Sequence, residues 1–258
     1  MDENQEIVEV WSNNLVEEMT KISKLIESYT YVAIDTEFPG FLLKTSTSFQ
    51  TTDEERYRTQ TANVNLTKII QFGITIGDSK GNLAYPICTW QFNFHFRLEE
   101  DLYNQDAIRL LRMAGIDFKQ FELNGIDPVD FSYLLFSSGL VMNDKIFWIC
   151  FHGGYDFAYL IKMLTGSPLP PKDIDFTKSL QLYFPNFFDL KEMSQKPIGL
   201  QELAEEYGVT RVGSQHQAGS DSFVTLKTFY EFMNKNYSGI SPKKIPFKNK
   251  LFGICGSN

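Results

Sequence analysis

The stretch that most constrains the fold reads Tyr31-Val32-Ala33-Ile34-Asp35-Thr36-Glu37-Phe38-Pro39-Gly40. Its first half is short and apolar, which is typical of a buried strand, and Pro39-Gly40 predicts where the strand ends. Asp35 and Glu37 are two residues apart, so on a strand both side chains project from one face. Two anions on an apolar strand are costly unless they are compensated. The alternative is a strand end that turns towards solvent at Asp35.

Two further acids lie near predicted helix starts. Asp156 follows a short apolar strand predicted at 146–151 and two glycines, and Asp221 lies in the first turn of a helix predicted at about 218–234. An acid in a first helical turn is favourable by itself, so each also has a purely structural interpretation. Four carboxylates that converge need cations between them. A pair of divalent metal ions would meet that need and would indicate phosphodiester hydrolysis.

A histidine accompanies the last acid, since His216 precedes Asp221 by five residues. If Asp221 binds a metal ion, the loop before it can hold a neutral imidazole over the same site. Near pH 7 that imidazole can accept a proton from an attacking water, which predicts a general base. A surface or capping histidine is the alternative. His152, four residues before Asp156, is a candidate support for the site, and His95 is interpreted as structural.

The remaining pattern predicts an α/β domain with helices covering a mixed sheet. Apolar residues at helical spacing over 11–26 predict a first helix, with Asn14 and Glu17 as a capping pair. Residues 41–67 are polar and irregular and predict a long loop, and an exposed, extended tail is predicted from about 238. The other predicted elements are strands at 68–76 and 82–87 around a turn at 78–81, two or three helices within 101–140, a helix at 156–164 and helical pieces within 175–208.

Composition bounds the class of protein. The 258 residues are 43% hydrophobic and contain no Pro/Gly/Ser linker, which predicts a single domain over 1–258. A net charge of −8 argues against a protein that coats nucleic acid through bulk basicity, but not against one that takes a strand end into a metal-charged cleft. Three cysteines without zinc-binding spacing, no signal-like N-terminus and no apolar run of about 18 to 20 residues predict a soluble cytoplasmic or nuclear protein without membrane contact.

Three short motifs stand out together, namely Asp35-x-Glu37, Tyr155-Asp156 and His216-x-Ala218-x-x-Asp221. They resemble the DEDD superfamily of 3′-to-5′ exonucleases, in the subgroup that uses histidine as the base. Longer flanking blocks resemble the Caf/Pop family within it: Tyr31–Gly40, Lys68–Gly73, Thr89–Phe94, Phe151–Phe157 and Gln215–Ser222. The likeness runs from about Val8 to Phe232 and is loose at Leu251–Gly253.

This resemblance implies an RNase H-like fold and a poly(A)-specific ribonuclease, the smaller nuclease of the Ccr–Not deadenylation complex. It implies two divalent ions, Mg²⁺ or Mn²⁺, held by Asp35, Glu37, Asp156 and Asp221, with His216 as the general base. The expected reaction is 3′-to-5′ hydrolysis of single-stranded RNA with a 3′ poly(A) tail, releasing 5′-AMP. The expected protein partners are a large Not-type scaffold subunit and a second deadenylase.

Substrate contacts are less visible in the sequence. Phe38, Phe41 and Tyr155 lie beside the motifs and are candidates for stacking on bases, with ordinary core packing as the alternative. Lys68 and Arg56 are candidates for phosphate contact, with solvated surface charge as the alternative. Two other functions stay open: a superfamily exonuclease acting on DNA or structured RNA, and a module whose main role is to bridge subunits of a deadenylation complex.

Overall fold

One mixed six-stranded sheet forms the centre of the computed structural model, which describes residues 6–44 and 52–253. Its strands are β1 (Ile7–Val10), β2 (Tyr31–Glu37), β3 (Gln71–Gly77), β4 (Thr89–Asn93), β5 (Phe147–Cys150) and β6 (Phe187–Asp189). The spatial order is β1-β4-β3-β2-β5-β6. Strand β3 is antiparallel to β2 and β4, and the other neighbouring pairs are parallel. The predicted mixed α/β sheet is confirmed.

Helices cover both faces of this sheet. They are α1 (Leu15–Leu25), α2 (Asp53–Leu66), α3 (Gln105–Met113), α4 (Phe118–Asn124), α5 (Pro128–Ser137), α6 (Gly154–Thr165), α7 (Asp173–Tyr183), α8 (Leu190–Ser194), α9 (Leu200–Glu206) and α10 (Ala218–Tyr237). Val32 and Ile34 pack in the apolar cluster on one face, and Tyr31 and Ala33 pack in the cluster beneath α10 on the other. Burial on both faces explains the near-continuous apolar sequence of β2. Within the described part of the chain, no helix combines the length and apolarity needed to span a bilayer.

Helix capping corrects two predictions. The loop predicted at 41–67 is wrong over its second half, because α2 begins there. The Thr52 side chain accepts a hydrogen bond from the Glu55 backbone N–H (3.2 Å), and the Glu55 carboxylate accepts one from the Thr52 N–H (2.9 Å). The helix is polar and lacks apolar periodicity, so only the Thr52-x-x-Glu55 capping pattern marked it in the sequence. At α1 the capping pair is wrong, since the Asn14 side chain accepts from the Trp11 N–H (2.7 Å) instead.

Three strands have no counterpart among the predicted elements, namely β1, β4 and β6. Strands β1 and β6 have four and three residues, too few to show a period-2 pattern. The strand predicted at 82–87 is wrong: after the turn at 78–81 only a single bridge joins Leu83 to Gly77, and β3 pairs with β4 instead. The helices predicted within 101–140 are confirmed as α3, α4 and α5.

The segment after 238 is more closely packed than the predicted extended tail. It contains a short 3-10 turn at Pro242–Lys244, and the Ile245 side chain is buried in the cluster beneath α10. Asn249 then pairs with the free edge of β6: the Phe187 N–H donates to the Asn249 side chain (3.0 Å), and the Asn249 N–H donates to the Phe187 carbonyl (2.9 Å). The seven residues 45–51 of the predicted loop lie outside the described residues.

Candidate active site

The two acids of β2 lie at its carboxyl end, on the face that α10 covers. Asp35 and Glu37 share the strand parity of Tyr31 and Ala33, which pack beneath α10. Both acids line a cleft of about 560 Å³. The alternative of a strand that ends at Asp35 is wrong, because the strand continues to Glu37, and both acids are half-buried in this cleft.

Helix α10 reaches these acids because two glycines allow its first turn to touch the sheet. Gly73 is the β3 residue opposite Asp35. A Cβ on Gly73 would lie 1.9 Å from the carbonyl oxygen of Ala218, the first residue of α10. A Cβ on Gly219 would lie 2.7 Å from the Ile7 side chain. This close approach places the first turn of α10, with Asp221, beside Asp35.

His216 and Asp221 are held together through the backbone. The His216 N–H donates to Asp221 Oδ2 (2.9 Å), and His216 has a left-handed backbone with φ of 62°. One possible ligand atom from each of Glu37, His216 and Asp221 lies within 4.8 Å of the other two. These three side chains are close enough to contact a single metal ion.

Asp156 approaches from the other face of the sheet. Strands β2 and β5 are parallel, so their carboxyl ends meet at one edge, and Asp156 lies in the first turn of the helix that follows β5. Its Oδ1 accepts a hydrogen bond from the Thr36 hydroxyl (2.6 Å) between the two β2 acids. Parallel strands thus bring together two acids that lie far apart in the sequence.

Burial and mutual repulsion make it unfavourable for all four carboxylates of this cluster to be charged without a counter-ion. Burial, reinforced by the Asp221 and Asp156 carboxylates, raises the pKa of Asp35 well above its usual range and that of Glu37 to about 8. Burial raises the pKa of Asp156 to about 7, although the hydrogen bond from the Thr36 hydroxyl acts to lower it. Near neutral pH the acids therefore need protons or cations. Clustered carboxylate oxygens are the donors that Mg²⁺ and Mn²⁺ prefer, so the residues fit such ions.

One residue that contacts the acid cluster lies outside the sequence motifs. Arg211 Nη1 donates to Asp221 Oδ1 (2.6 Å) in an ion pair whose two side chains are only 12% and 9% exposed. Its Nε donates to Gln201 Oε1 (2.9 Å). The positive charge of Arg211 also works against the raised pKa of Asp35. In the sequence, the only sign of this role was the position of Arg211 in the loop that leads into the His216 block.

A second residue outside the motifs is Asp189, which organises the turn before Asp156. Fully buried at the end of β6, it accepts hydrogen bonds from the N–H groups of His152 (2.8 Å), Gly153 (3.2 Å), Lys191 (2.9 Å) and Phe252 (3.1 Å). The expected support from His152 thus comes through its backbone, which starts the turn into α6. The His152 ring packs edge-on against Phe252, with centroids 5.0 Å apart.

The aromatic candidates form one cluster next to Asp156. Phe38 stacks on Tyr155 with ring centroids 5.2 Å apart, and Phe41, which is 44% exposed, lies 5.1 Å from Tyr155. Phe41 and Tyr155 line a second cleft of about 760 Å³, as does Arg56. Lys68 instead forms an ion pair with Asp101 (2.6 Å) and is not among the described residues that line either cleft.

Comparison with known proteins fits this arrangement. The sequence profile of the CAF1 family ribonucleases matches residues 10–134. Poly(A) ribonuclease pop2 of Schizosaccharomyces pombe is 43% identical over 252 residues, which span 96% of this chain and 75% of that protein. The chain belongs to the CAF1 ribonuclease family. A further family relative, probable CCR4-associated factor 1 homolog 10 of Arabidopsis thaliana, is 46% identical over 96% of this chain and 92% of its own length. The resemblance drawn from the sequence is confirmed, and this CAF1-family chain is an enzyme.

Solved structures of the CAF1 family share the whole fold. The Mg²⁺- and Mn²⁺-bound form of S. pombe Pop2p superposes with a TM-score of 0.91 at 44% identity, covering 96% of this chain and 99% of that one. Yeast CAF1 co-crystallised with the NOT1 MIF4G domain superposes with a TM-score of 0.82 at 30% identity, covering 98% of both chains. E. coli exonuclease I gives a TM-score of 0.53 at 15% identity, covering 81% of this chain and 41% of that one, and shows a likeness of fold alone.

Proposed function

We propose that this CAF1-family ribonuclease is a metal-dependent 3′-to-5′ exoribonuclease that shortens poly(A) tails and releases 5′-AMP. The observation that carries the proposal is the cluster of the half-buried Asp35 and Glu37 with the buried Asp156 and Asp221, and with His216 beside it. The poly(A) ribonuclease activity for which the S. pombe relative is named supports the substrate. The complete acid cluster favours catalysis over a purely bridging role.

The four carboxylates would hold two divalent ions. Bound there, such ions polarise the scissile phosphate and stabilise the charge that develops on the leaving 3′ oxygen. Asp35 and Glu37 supply oxygens from β2, while Asp156 and Asp221 supply oxygens from the first turns of α6 and α10. The raised pKa values of this cluster mean that ions compete with protons, so binding strengthens as pH rises. The Mg²⁺- and Mn²⁺-bound form of S. pombe Pop2p supports this assignment.

His216 would accept the proton of the attacking water. Its backbone bond to Asp221 fixes the loop that carries the imidazole over the acid cluster. Its ring is also close enough to Glu37 and Asp221 to contact an ion. We assign it as the base because four carboxylates already supply the oxygen ligands that Mg²⁺ and Mn²⁺ prefer, and because an imidazole takes up protons near neutral pH.

The cleft beside Tyr155 is suited to single-stranded RNA. Phe41, which is exposed, and Tyr155, on which Phe38 stacks from the core side, line this cleft with aromatic surface next to Asp156. Bases of a single strand bind such surfaces by stacking, which is worth about 1 to 3 kcal/mol per base. Bound metal ions would supply the local positive field that the whole chain, at −8, lacks.

The decisive experiment uses a 5′-labelled RNA that ends in an A-tract, with Mg²⁺ or Mn²⁺ and with EDTA as the control. We expect a metal-dependent ladder that shortens from the 3′ end and slows at the A-tract boundary, with 5′-AMP as the product. Equal shortening of DNA or of poly(U) would instead support a superfamily exonuclease with another substrate. No shortening with either ion would contradict the proposal and favour the bridging role.

A surface on α5 fits the partner that a relative binds. Val129, Tyr133 and Phe136 are spaced along one face of α5 and are 74%, 74% and 42% exposed. An exposed apolar stripe of this kind is typical of an interaction site. Yeast CAF1 co-crystallised with the NOT1 MIF4G domain. We propose that this face of α5 binds a Not-type scaffold subunit.

Replacing Phe136 with arginine should therefore weaken binding of a Not-type MIF4G domain at least about tenfold, the loss expected at an aromatic hot spot. Calorimetry with the purified domain measures this. Met113→Arg, which alters another apolar and still more exposed position, on α3, is the control and should bind normally. Both variants should keep wild-type RNA shortening. Unchanged binding by Phe136→Arg would exclude this face of α5.

A further inference from the structure

The first N–H groups of α10 find their acceptors on two neighbouring strands. The residue before the helix, Gln217, makes no capping bond with its side chain. Instead the Ala218 N–H donates to Oε1 of Gln71 on β3 (3.3 Å), and the Gly219 N–H donates to Oε1 of Gln91 on β4 (2.8 Å). Helix N-termini usually satisfy these donors with a local Ser, Thr, Asp or Asn. Here two buried glutamines cap the helix from the sheet.

The rest of each glutamine amide is also bonded. Gln71 Nε2 donates to Asn93 Oδ1 (2.8 Å) and to Gln217 Oε1 (3.0 Å). Gln91 Nε2 donates to Glu9 Oε1 (2.9 Å) and to the same Gln217 oxygen (2.8 Å). Because backbone N–H groups can only donate, each amide must turn its oxygen to the helix and its NH2 group away from it. The orientation of both glutamines is therefore fixed.

The cluster closes on β1 and on the loop after α3. Asn93 Nδ2 donates to Glu9 Oε2 (2.7 Å), so both oxygens of this carboxylate are bonded. Gln217 Nε2 donates to the Ala114 carbonyl (2.9 Å). Buried amides are costly unless all their groups are bonded, and a fully bonded network holds its members in one geometry. The network therefore locks Gln217 against three strands of the sheet.

Gln217 lies between the two proposed functional residues of this segment. Its carbonyl accepts the Asp221 N–H (3.0 Å), and the preceding residue, His216, donates its own N–H to Asp221 Oδ2 (2.9 Å). A shift of Gln217 would thus move the base and the acid together. The geometry points to Gln71 and Gln91 as positioning residues: by capping α10 from the sheet, they set the places of His216 and Asp221. This inference rests on the proposed nuclease function.

Gln91→Met tests the inference, because methionine has a similar length but leaves the Gly219 N–H without its acceptor. We expect kcat for RNA shortening to fall about 10- to 100-fold, as is usual when the groups that orient metal ligands are lost. Mn²⁺ binding, measured by calorimetry without RNA, should weaken in the same range, because Asp221 is displaced. KM for RNA should stay near the wild-type value, since the aromatic cleft is unchanged.

Tyr230→Phe is the matched control. It removes one hydrogen bond of the same helix, from the Tyr230 hydroxyl to the Asp78 carbonyl (2.8 Å), far from the acid cluster. A general loss of stability would affect both variants alike, whereas a positioning role affects only Gln91→Met. Wild-type kcat and Mn²⁺ affinity in a folded Gln91→Met protein would overturn the inference, and so would equal losses in the two variants.

A charge exchange tests the same point if Gln91→Met fails to fold. Gln91→Glu alone places two carboxylates side by side and should lose activity and Mn²⁺ affinity. Adding Glu9→Gln restores one donor and keeps an acceptor for the Gly219 N–H. Activity and Mn²⁺ affinity of the double variant should therefore each be about tenfold higher than those of Gln91→Glu alone. No recovery in a folded double variant would overturn the inference. A wild-type protein that neither shortens RNA nor binds Mn²⁺ would overturn the nuclease proposal itself, and the positioning role with it.

Discussion

Asp35→Asn is expected to lower the rate of RNA shortening at least about a thousandfold and, at the same time, to stabilise the metal-free protein near pH 8. The loss of activity follows from the removal of a carboxylate at the centre of the acid cluster. The gain in stability follows because the same carboxylate is largely desolvated in the folded protein and is repelled by Asp221, Asp156 and Glu37. Asparagine has nearly the same shape and carries no charge.

The sign of the pH effect follows from the raised pKa values. In the folded chain the pKa of Glu37 is about 8 and that of Asp156 about 7, whereas in an unfolded chain both are near 4. Between these values the metal-free folded protein binds more protons than the unfolded one. Its free energy of unfolding therefore falls as pH rises through this window. With Asp35 neutral, the fall should be shallower, so that the variant exceeds the wild type by about 1 to 3 kcal/mol near pH 8.

Thermal unfolding of EDTA-treated proteins from about pH 5 to about pH 8 measures this difference. Mn²⁺ should restore the stability of the wild type, most strongly at high pH, and should restore the variant much less. His216→Asn is the matched control and should lose activity. Its stability should follow that of the wild type both across the pH range in EDTA and on addition of Mn²⁺, because the four carboxylates remain. Wild-type stability that depends on neither pH nor Mn²⁺ would contradict the description of the acid cluster.

Gly73→Ala is expected to lower the rate of RNA shortening at least about a hundredfold, at a position that has no functional group of its own. Its Cβ would lie 1.9 Å from the Ala218 oxygen and 2.1 Å from the Ala218 carbonyl carbon, both of them backbone atoms that cannot rotate away. The first turn of α10 must therefore move off the sheet. A misplacement of about 1 Å costs about a hundredfold in rate, and overpacking costs about 1 to 3 kcal/mol or more in stability. We expect both losses.

Ile74→Val separates these two effects. Ile74 is the next residue of β3, so its side chain points to the opposite face of the sheet from Gly73, where it is buried in the large apolar cluster. Removing one methylene there should cost about 1 kcal/mol and leave activity intact. The comparison requires the rate of RNA shortening and the free energy of unfolding, from chemical denaturation, for each of the two variants. Wild-type activity in Gly73→Ala would show that the contact between β3 and α10 does not set the place of Asp221.

Local patterns made much of the site predictable. The apolar run that carries Asp35 and Glu37 is a strand by its own composition, and the observed strand, Tyr31–Glu37, ends just before Pro39-Gly40 as predicted. The spacing of His216 and Asp221 is set within one loop and one helical turn. The long blocks around these residues are specific enough to identify the family, which no single residue could do.

Other parts depend on partners distant in sequence. Helix α2 is too polar for an apolar periodicity to show in its sequence. Its buried side chains pack against the rest of the fold; for example, the Tyr57 hydroxyl donates a hydrogen bond to the Pro170 carbonyl (2.7 Å). Strands β1 and β6 are too short to be recognised without the strands that they pair with. Lys68 resembled a phosphate ligand by its place beside a motif, yet it pairs with Asp101.

The sequence by itself determined which residues of this protein are acidic or basic at each motif, and which local element carries each of them, because strand and helix signals act over a few residues. Only the tertiary structure decided how these elements meet. The ion pair of Arg211 with Asp221, the turn held by Asp189 and the caps from Gln71 and Gln91 all join separate elements. Such contacts depend on close packing and on the need to satisfy buried polar groups, and neither of these leaves a pattern along the chain.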